Sequence, residues 1–303
     1  MCNVLTHARQ DPALGIAPVF TALPRRKPGE RPKLDVRQTF NGAEIQWRGP
    51  DALGPSDQSV LLVLLALGAV QNLRVSANSD TETARALRAG LDIEGDVENE
   101  TFVGVEATWR ELIQALGLKG RGGSTRDQVK RSVQRLADVG VWVTVGGITI
   151  RSRLLSWHVG DENKVTIALN WRLSRAICGG HYSRVSLAER RQLRSDAAQL
   201  LHSWLSSCLR PGHTRRFHID TLVERVWFGQ GKGSTLRTRQ SVLKIALSDI
   251  GQLPGWTVEL EHLTATIGRG RHISDASASG RRRHFPPKAS ADAGSRRTDA
   301  AGP

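Results

Sequence analysis

At 303 residues the chain is long enough for two cores of ordinary size, taking roughly 150 residues per domain as the prior. Its 43 Lys and Arg against 29 Asp and Glu give a formal charge of +14, which points to a polyanionic partner, nucleic acid or an anionic membrane, without constraining the fold. The longest apolar run, Val60 to Val70, is about half of the roughly twenty residues a spanning helix needs, and no basic-then-apolar leader opens the chain, so a cytoplasmic protein without a membrane segment is expected.

In chain order, residues 1–50 carry eight basic and four acidic side chains and read as a basic N-terminal arm. The body from 51 to 267 holds +5 in all, yet two short windows contain more than that excess. Lys119 to Arg135 has six basic residues and one acid, Lys232 to Lys244 has four and none, and the rest of the body is net acidic. A single charge run is ordinarily a solvated helix face; two matched runs in an acidic body point to a surface with a purpose. Acids are dense from Asp80 to Glu106, a stretch compatible with Mg²⁺ binding but expected as a solvated loop or insertion. Residues 268–303, with Arg281-Arg282-Arg283 among Ser, Ala, Gly and Pro, read as a basic disordered tail.

The two windows also repeat one pattern. Thr108 to Glu111 has the spacing of a capping box opening a helix that runs to Leu116. Gly123-Ser124-Thr125 then begins a helix through Val129, Val133 and Leu136 to Gly140, followed by the strand Val141–Val145, Gly146-Gly147 and Ile148–Arg151, a hairpin signal. About 110 residues on, Gly233-Ser234-Thr235 begins a helix through Leu236, Leu243, Leu247 and Ile250 to Gly251, with a Trp-bearing strand at Trp256. Ser124 and Ser234 suit N-caps, and Gly140 and Gly251 suit left-handed C-terminal positions. Further helices are expected over 170–177, 195–209 and 219–228, a strand over 165–169 and a second hairpin over 256–267. Helix, loop, basic helix, hairpin is the winged-helix order. The expected fold is therefore α+β, with two tandem winged-helix domains (helix-turn-helix plus β-hairpin wing) at 51–158 and 159–267.

At 100° per residue, Val129, Ser132, Val133, Leu136 and Thr125 share one face of the first basic helix, with Asp127, Lys130, Arg131, Gln134 and Arg135 opposite. In the second, Arg237, Thr238, Ser241 and Lys244 face outward, while Arg239 lies at the edge of the apolar stripe and would have to snorkel. A major groove admits such a helix, and Arg, Lys and Gln can donate to base edges. The candidate DNA-binding residues are Ser124, Thr125, Arg126, Lys130, Arg131, Gln134 and Arg135 in the first unit. In the second they are Lys232, Ser234, Thr235, Arg237, Arg239, Ser241 and Lys244. Glu259 and Glu261 disfavour close phosphate contact at the second hairpin.

Enzyme chemistry finds little footing, and neither a catalytic residue, a metal site nor a cofactor is expected. The segment Gly229 to Thr235 resembles a phosphate loop only superficially, since Gly233 follows Lys232 where Ser or Thr is needed and a helix precedes it. Tyr182 is the only tyrosine and no His-x-His occurs, against a nicking enzyme. His202, His213 and His218 lack zinc spacing and read as surface or capping residues. Cys2, Cys178 and Cys208 suit neither a disulfide framework nor a metal knuckle; Cys178 and Cys208 are expected to be buried free thiols.

Several segments resemble one known family. His7 to Ala13 with Ala17-Pro18, Lys33 to Val36, Gly49-Pro50 and Leu53-Gly54 are similar to the N-terminal region of IncQ plasmid initiators, the replication protein C family. So are Ala198 to His202 with Pro211-Gly212, Ile219 to Leu222 with Val226-Trp227, Gly233 to Thr235 and Gly255 to Val258. The resemblance covers roughly residues 5 to 260; the longer basic tail and the stretch from Arg110 to Gly123 depart from it. It implies a non-enzymatic protein that binds directly repeated iterons in double-stranded origin DNA, as monomer or homodimer, and helps to open an adjacent AT-rich segment. Plasmid-encoded helicase and primase are the further partners it implies. A transcriptional repressor would share the tandem basic helices, and an RNA-binding or membrane-surface protein would rely on the tails.

Overall fold

The computed structural model describes residues 5–23, 31–76, 78, 81–95, 97, 100–120, 122–160, 164–229 and 231–271. The described residues open with β1 (His7–Gln10) and α1 (Pro12–Ile16), the latter capped by Asp11, whose carboxylate accepts from the Ala13 amide. β2 (Leu34–Phe40) and β3 (Ala43–Gly49) form a hairpin turning at Asn41 (φ 49°) and Gly42 (φ 78°), the left-handed pair a two-residue turn demands. α2 (Pro55–Gln71) starts with Pro55 in its first turn and Asp57 accepting from the Gly54 amide. There follow β4 (Leu73–Val75), α3 (Glu82–Gly90), β5 (Phe102–Thr108), α4 (Trp109–Ala115), α5 (Gly123–Ala137), β6 (Gly140–Val145) and β7 (Ile148–Arg153). The second half contains β8 (Leu155–Val159), β9 (Lys164–Leu169), α6 (Trp171–Ile177), β10 (Ser183–Ser186), α7 (Leu187–Gln192) and α8 (Asp196–Cys208). The described residues end with β11 (His213–His218), α9 (Ile219–Val226), α10 (Ser234–Gly251), β12 (Trp256–Glu261) and β13 (Thr264–Arg269).

All strand ladders are antiparallel, in the orders β2-β3-β6-β7, β4-β5-β9-β8, β11-β13-β12 and β1-β10. Every residue from Val60 to Ala66 is buried, so α2 is enclosed on all sides rather than along one stripe. It packs against β1, β5, α4, α5, α6 and α8. No helix among the described residues is long and apolar enough to cross a membrane.

The expected arm over 1–50 is corrected: residues 7–49 supply three strands and a helix to the folded body. Charge counting hid the period-two alternation of Leu34, Val36, Ile45 and Trp47, which bury one face of β2 and β3. The expected boundary at 158/159 likewise finds no gap, because the described residues up to Gly270 cluster as one unit around one continuous core. β9 completes the sheet begun by β5, β1 pairs with β10, and the Ala22 amide donates to the Val226 carbonyl at 2.7 Å. Polar stitches cross the same line: Arg172 forks onto Asp11 at 2.7 and 3.0 Å. The fully buried Arg190, pushed down to about 9 by desolvation, donates to Pro55, Ser59 and Ser203. At the far end β13 includes Gly268 and Arg269, so the strand runs two residues past the expected start of the tail, and Arg269 is buried. Residues 272–303 lie outside the described residues.

The repeated order strand, helix, helix, hairpin is present twice, as β5-α4-α5-β6-β7 and β11-α9-α10-β12-β13. The strand pairing is not copied. In the second unit β11 closes onto the hairpin at β13, whereas in the first β5 joins β4 and β9 and the hairpin takes β3 as its third strand. The expected caps also differ. Gly122 and Gly233 are the N-caps, which moves Ser124 and Ser234 into the first turn. Neither Gly140 nor Gly251 is left-handed. Both are sites of close approach: a Cβ on Gly140 would stand 2.5 Å from the Trp142 ring, and one on Gly251 3.3 Å from Val258.

Candidate nucleic-acid interface

α4 and α5 are set by local chemistry. Thr108 and Glu111 form the capping box that starts α4. α5 lays Val129, Ser132, Val133 and Leu136 against α2 and α4. That packing leaves Ser124, Arg126, Lys130, Arg131 and Gln134 exposed, with Thr125 half-buried. The Lys130 ammonium stands 6.0 Å from the Trp157 ring centre, and the Gln134 amide donates to Asp138 at 2.9 Å.

Arg135 is corrected. Its side chain is 14% exposed and its guanidinium donates twice to Asp57 Oδ1, at 3.1 and 2.6 Å, and to Ser132 at 3.0 Å. Arg31 takes the other oxygen, Oδ2, at 2.8 Å. Burial pushes the Asp57 pKa up, but the Arg135 hydrogen bond, the Gly54 amide and the Arg135 charge outweigh it and hold the carboxyl below its ordinary 3.8. Arg135 is thus a clamp between α5 and α2, turned away from solvent.

α10 exposes Lys232, Ser234, Thr235, Arg237, Ser241 and Lys244 along its start and outer face, opposite the buried Leu243, Ala246, Leu247 and Ile250. Arg239 is corrected as well. It is half-buried, donates to the Gly229 carbonyl and stacks over Trp227 at 5.7 Å, fixing the α9–α10 connection. The Thr238 hydroxyl donates back to the Ser234 carbonyl at 3.0 Å. Val242 and Ile245, 37% and 61% exposed, stand among these polar side chains and carry no side-chain donor.

Both helices begin at a glycine N-cap with no side-chain cap, so their first-turn amides are available to an anion. The first hairpin turns at Gly146 (φ 56°) and Gly147 (φ 84°) and is tied by a 2.8 Å hydrogen bond between the Thr144 and Thr149 hydroxyls. Its Arg151 is engaged by Asp92 at 3.0 Å and Glu94 at 2.8 Å. The acidic stretch expected as a solvated loop or insertion contains α3 and the first part of β5, and two of its carboxylates pair with Arg151 of the hairpin. On the second hairpin Glu259 and Glu261 are exposed, with Arg216 3.1 Å from Glu261.

His202 is corrected from surface to core. It is fully buried, with Nε2 2.8 Å from Glu189 Oε2, which also accepts from the Trp256 indole at 2.9 Å. His218 does cap α9, and His213 is exposed. Cys178 is exposed and Cys208 half-buried, against the expectation of two buried thiols, and desolvation pushes Cys208 up to about 12. α9, a helix rather than a strand, precedes the Gly229–Thr235 segment. Among the described residues no group of three or more His, Cys, Asp and Glu is placed to hold a metal ion.

A family model described as replication protein C (RepC) matches residues 2–271. A comparison with curated proteins returns no match. Among solved structures, the chain is similar to domains 2 and 3 of RctB, at 12% identity and a TM-score of 0.52, over 86% of this chain and 99% of that one. At that identity the likeness speaks to the fold alone.

Proposed function

The chain belongs to the replication protein C family, and from that premise we propose that it is the initiator that binds directly repeated iterons in double-stranded plasmid origin DNA. In this reading the two strand-helix-helix-hairpin units are winged-helix domains, and α5 and α10 are their recognition helices. One observation carries the reading: each unit packs one face of its second helix and leaves the opposite face to cations and hydrogen-bonding side chains, Lys130, Arg131 and Gln134 on α5 and Arg237, Ser241 and Lys244 on α10. The uncapped amides at Gly122 and Gly233 would each receive a backbone phosphate. Two unlike units in one chain read an asymmetric site, which suits direct repeats rather than palindromes. Their helices would enter major-groove segments about one turn, near 10 base pairs, apart. Deformation of the bound site would lower the cost of opening a flexible AT-rich neighbour, where helicase and primase are loaded. The chain contributes binding rather than catalysis.

The test is base preference mapped on the footprinted site with two double variants. Arg131→Ala with Gln134→Ala should relax preference in one half of an iteron of roughly 20 base pairs, and Arg237→Ala with Lys244→Ala in the other, each true base contact being worth about 1–3 kcal/mol of discrimination. Loss at the same base pairs in both variants would replace the tandem reading with a symmetric dimer using one helix per half-site.

A further inference from the structure

The outer faces of α5 and α10 differ in chemistry. On α5 the solvent side carries Asp127, Arg131 and Gln134, all exposed and all polar. On α10 Thr238, Val242 and Ile245 follow one another at i, i+4 and i+7, the spacing of a single ridge along a helix. Ile245 is 61% exposed and Val242, one turn before the buried Ala246 at the border of the core stripe, 37%. Thr238, exposed beside them, commits its hydroxyl to the Ser234 carbonyl, so what it has left to offer a ligand is its methyl.

Arg237 and Lys244 run along the opposite flank of the same face, and no acid stands on α10 before Asp249. A cationic flank beside an apolar ridge fits a polyanion that carries apolar groups. Duplex DNA is such a ligand, since thymine places its C5-methyl on the floor of the major groove. Three side chains on one ridge are far too small for a stable protein interface, which buries about 1,200–2,000 Å². We infer that Thr238, Val242 and Ile245 read thymine methyl groups, so that the half-site under α10 is specified by A·T pairs while α5 reads its half through hydrogen bonds.

The inference rests on α10 being a recognition helix and adds what it recognises. Arg237 and Ile245 are eight residues, about 12 Å, apart along the axis. At 3.4 Å per step, the thymine against Ile245 lies three to four base pairs from the nucleotide that Arg237 contacts.

The experiment replaces thymine by deoxyuridine, one position at a time, in the duplex that the full chain protects in its parent replicon. This deletes the methyl and keeps the base pair. Affinity of the full chain should fall about three- to five-fold at two or three thymines confined to one half-site, the effect of losing one buried carbon. Ile245→Ala should abolish the penalty at one of those thymines and leave the others. Thr238→Ser, which deletes a single methyl from a solvated position, should do the same at a neighbouring one and guards against a folding artefact. If the full chain binds its site specifically yet every deoxyuridine is tolerated within 1.5-fold, the inference fails and the initiator reading stands. Undiminished methyl sensitivity in Ile245→Ala would also overturn it and leave the ridge to a protein partner. If the full chain shows no specific binding to any origin segment, the reading itself fails and the inference with it.

Discussion

Replacing Arg135 by alanine should cost stability and leave sequence recognition alone, the reverse of what its place in a basic helix suggests. In the parent the Asp57 side chain is 0% exposed, and without Arg135 the one charged partner left to it among the described residues is Arg31, 27% exposed, which shares the second oxygen with the Gly54 amide. Removing one partner of a buried pair typically costs about 3–5 kcal/mol, and the surviving Arg31 contact argues for the low end, about 3 kcal/mol. For a body of this size that is a drop of about 6–12 °C in Tm. The exposed Arg131 supplies the contrast: its alanine variant should melt within about 0.5 kcal/mol of the parent and lose DNA affinity. A pH series adds the sign. Because the Asp57 pKa is depressed below 3.8 in the fold, its contribution is fully present above that value and is lost as pH falls through the folded pKa. The Tm gap between parent and Arg135→Ala should therefore be constant near neutrality and close below about pH 4. Thermal melts with anisotropy binding on the same samples decide the matter: an unchanged Tm together with an affinity loss equal to that of Arg131→Ala would refute the clamp.

His202 gives a second pH effect of a different kind. Burial pushes its pKa below 6.5 against the pull of the Glu189 hydrogen bond, so the unfolded chain binds the proton first and stability falls as pH drops below about 6.5, by at most about 1.4 kcal/mol per unit. His202→Gln should flatten the Tm profile between pH 7 and 5; an unaltered slope would remove His202 from the account. For DNA binding, a chain ending at Arg271 should keep specific affinity, with log affinity falling against log salt at a slope of roughly −5 to −9 if both helices contact phosphate. Loss of all specific binding in that truncation would assign recognition to the tail.

Elements governed by nearest neighbours were legible in the sequence: the Thr108–Glu111 box, the Gly146-Gly147 turn and the apolar stripes of α5 and α10 all depend on residues within a few positions of one another. Arg135 was not, because its partner lies 78 residues away and only the packing of α5 on α2 brings them together. The N-terminal strands were masked for another reason. The charge of residues 1–50 is that of an arm, while the alternating Leu34-Asp35-Val36-Arg37 and the Asn41-Gly42 turn are the local marks of a hairpin. His202 looked like an isolated surface residue because Glu189 and Trp256, which make its burial tolerable, come from other elements. The apolar ridge of α10 is not legible from donor chemistry, because Val242 and Ile245 carry no side-chain donor.

The pairing of β1 with β10 sets a clock on biosynthesis. His7 pairs with Ser186 and Gln10 with Ser183, so β1 leaves the ribosome and waits for a strand made some 180 residues later. At about 5–20 residues per second, that interval is roughly 10 to 35 seconds. Throughout it β1 has no ladder partner, and α2, with its continuous run of buried leucines and valines, lacks the α6 and α8 surfaces that later enclose it. Nascent chains of this protein should therefore depend on a holding chaperone until about residue 210 has emerged. A ribosome stalled midway would release a sticky fragment rather than a working half, which ties the supply of active protein to uninterrupted translation.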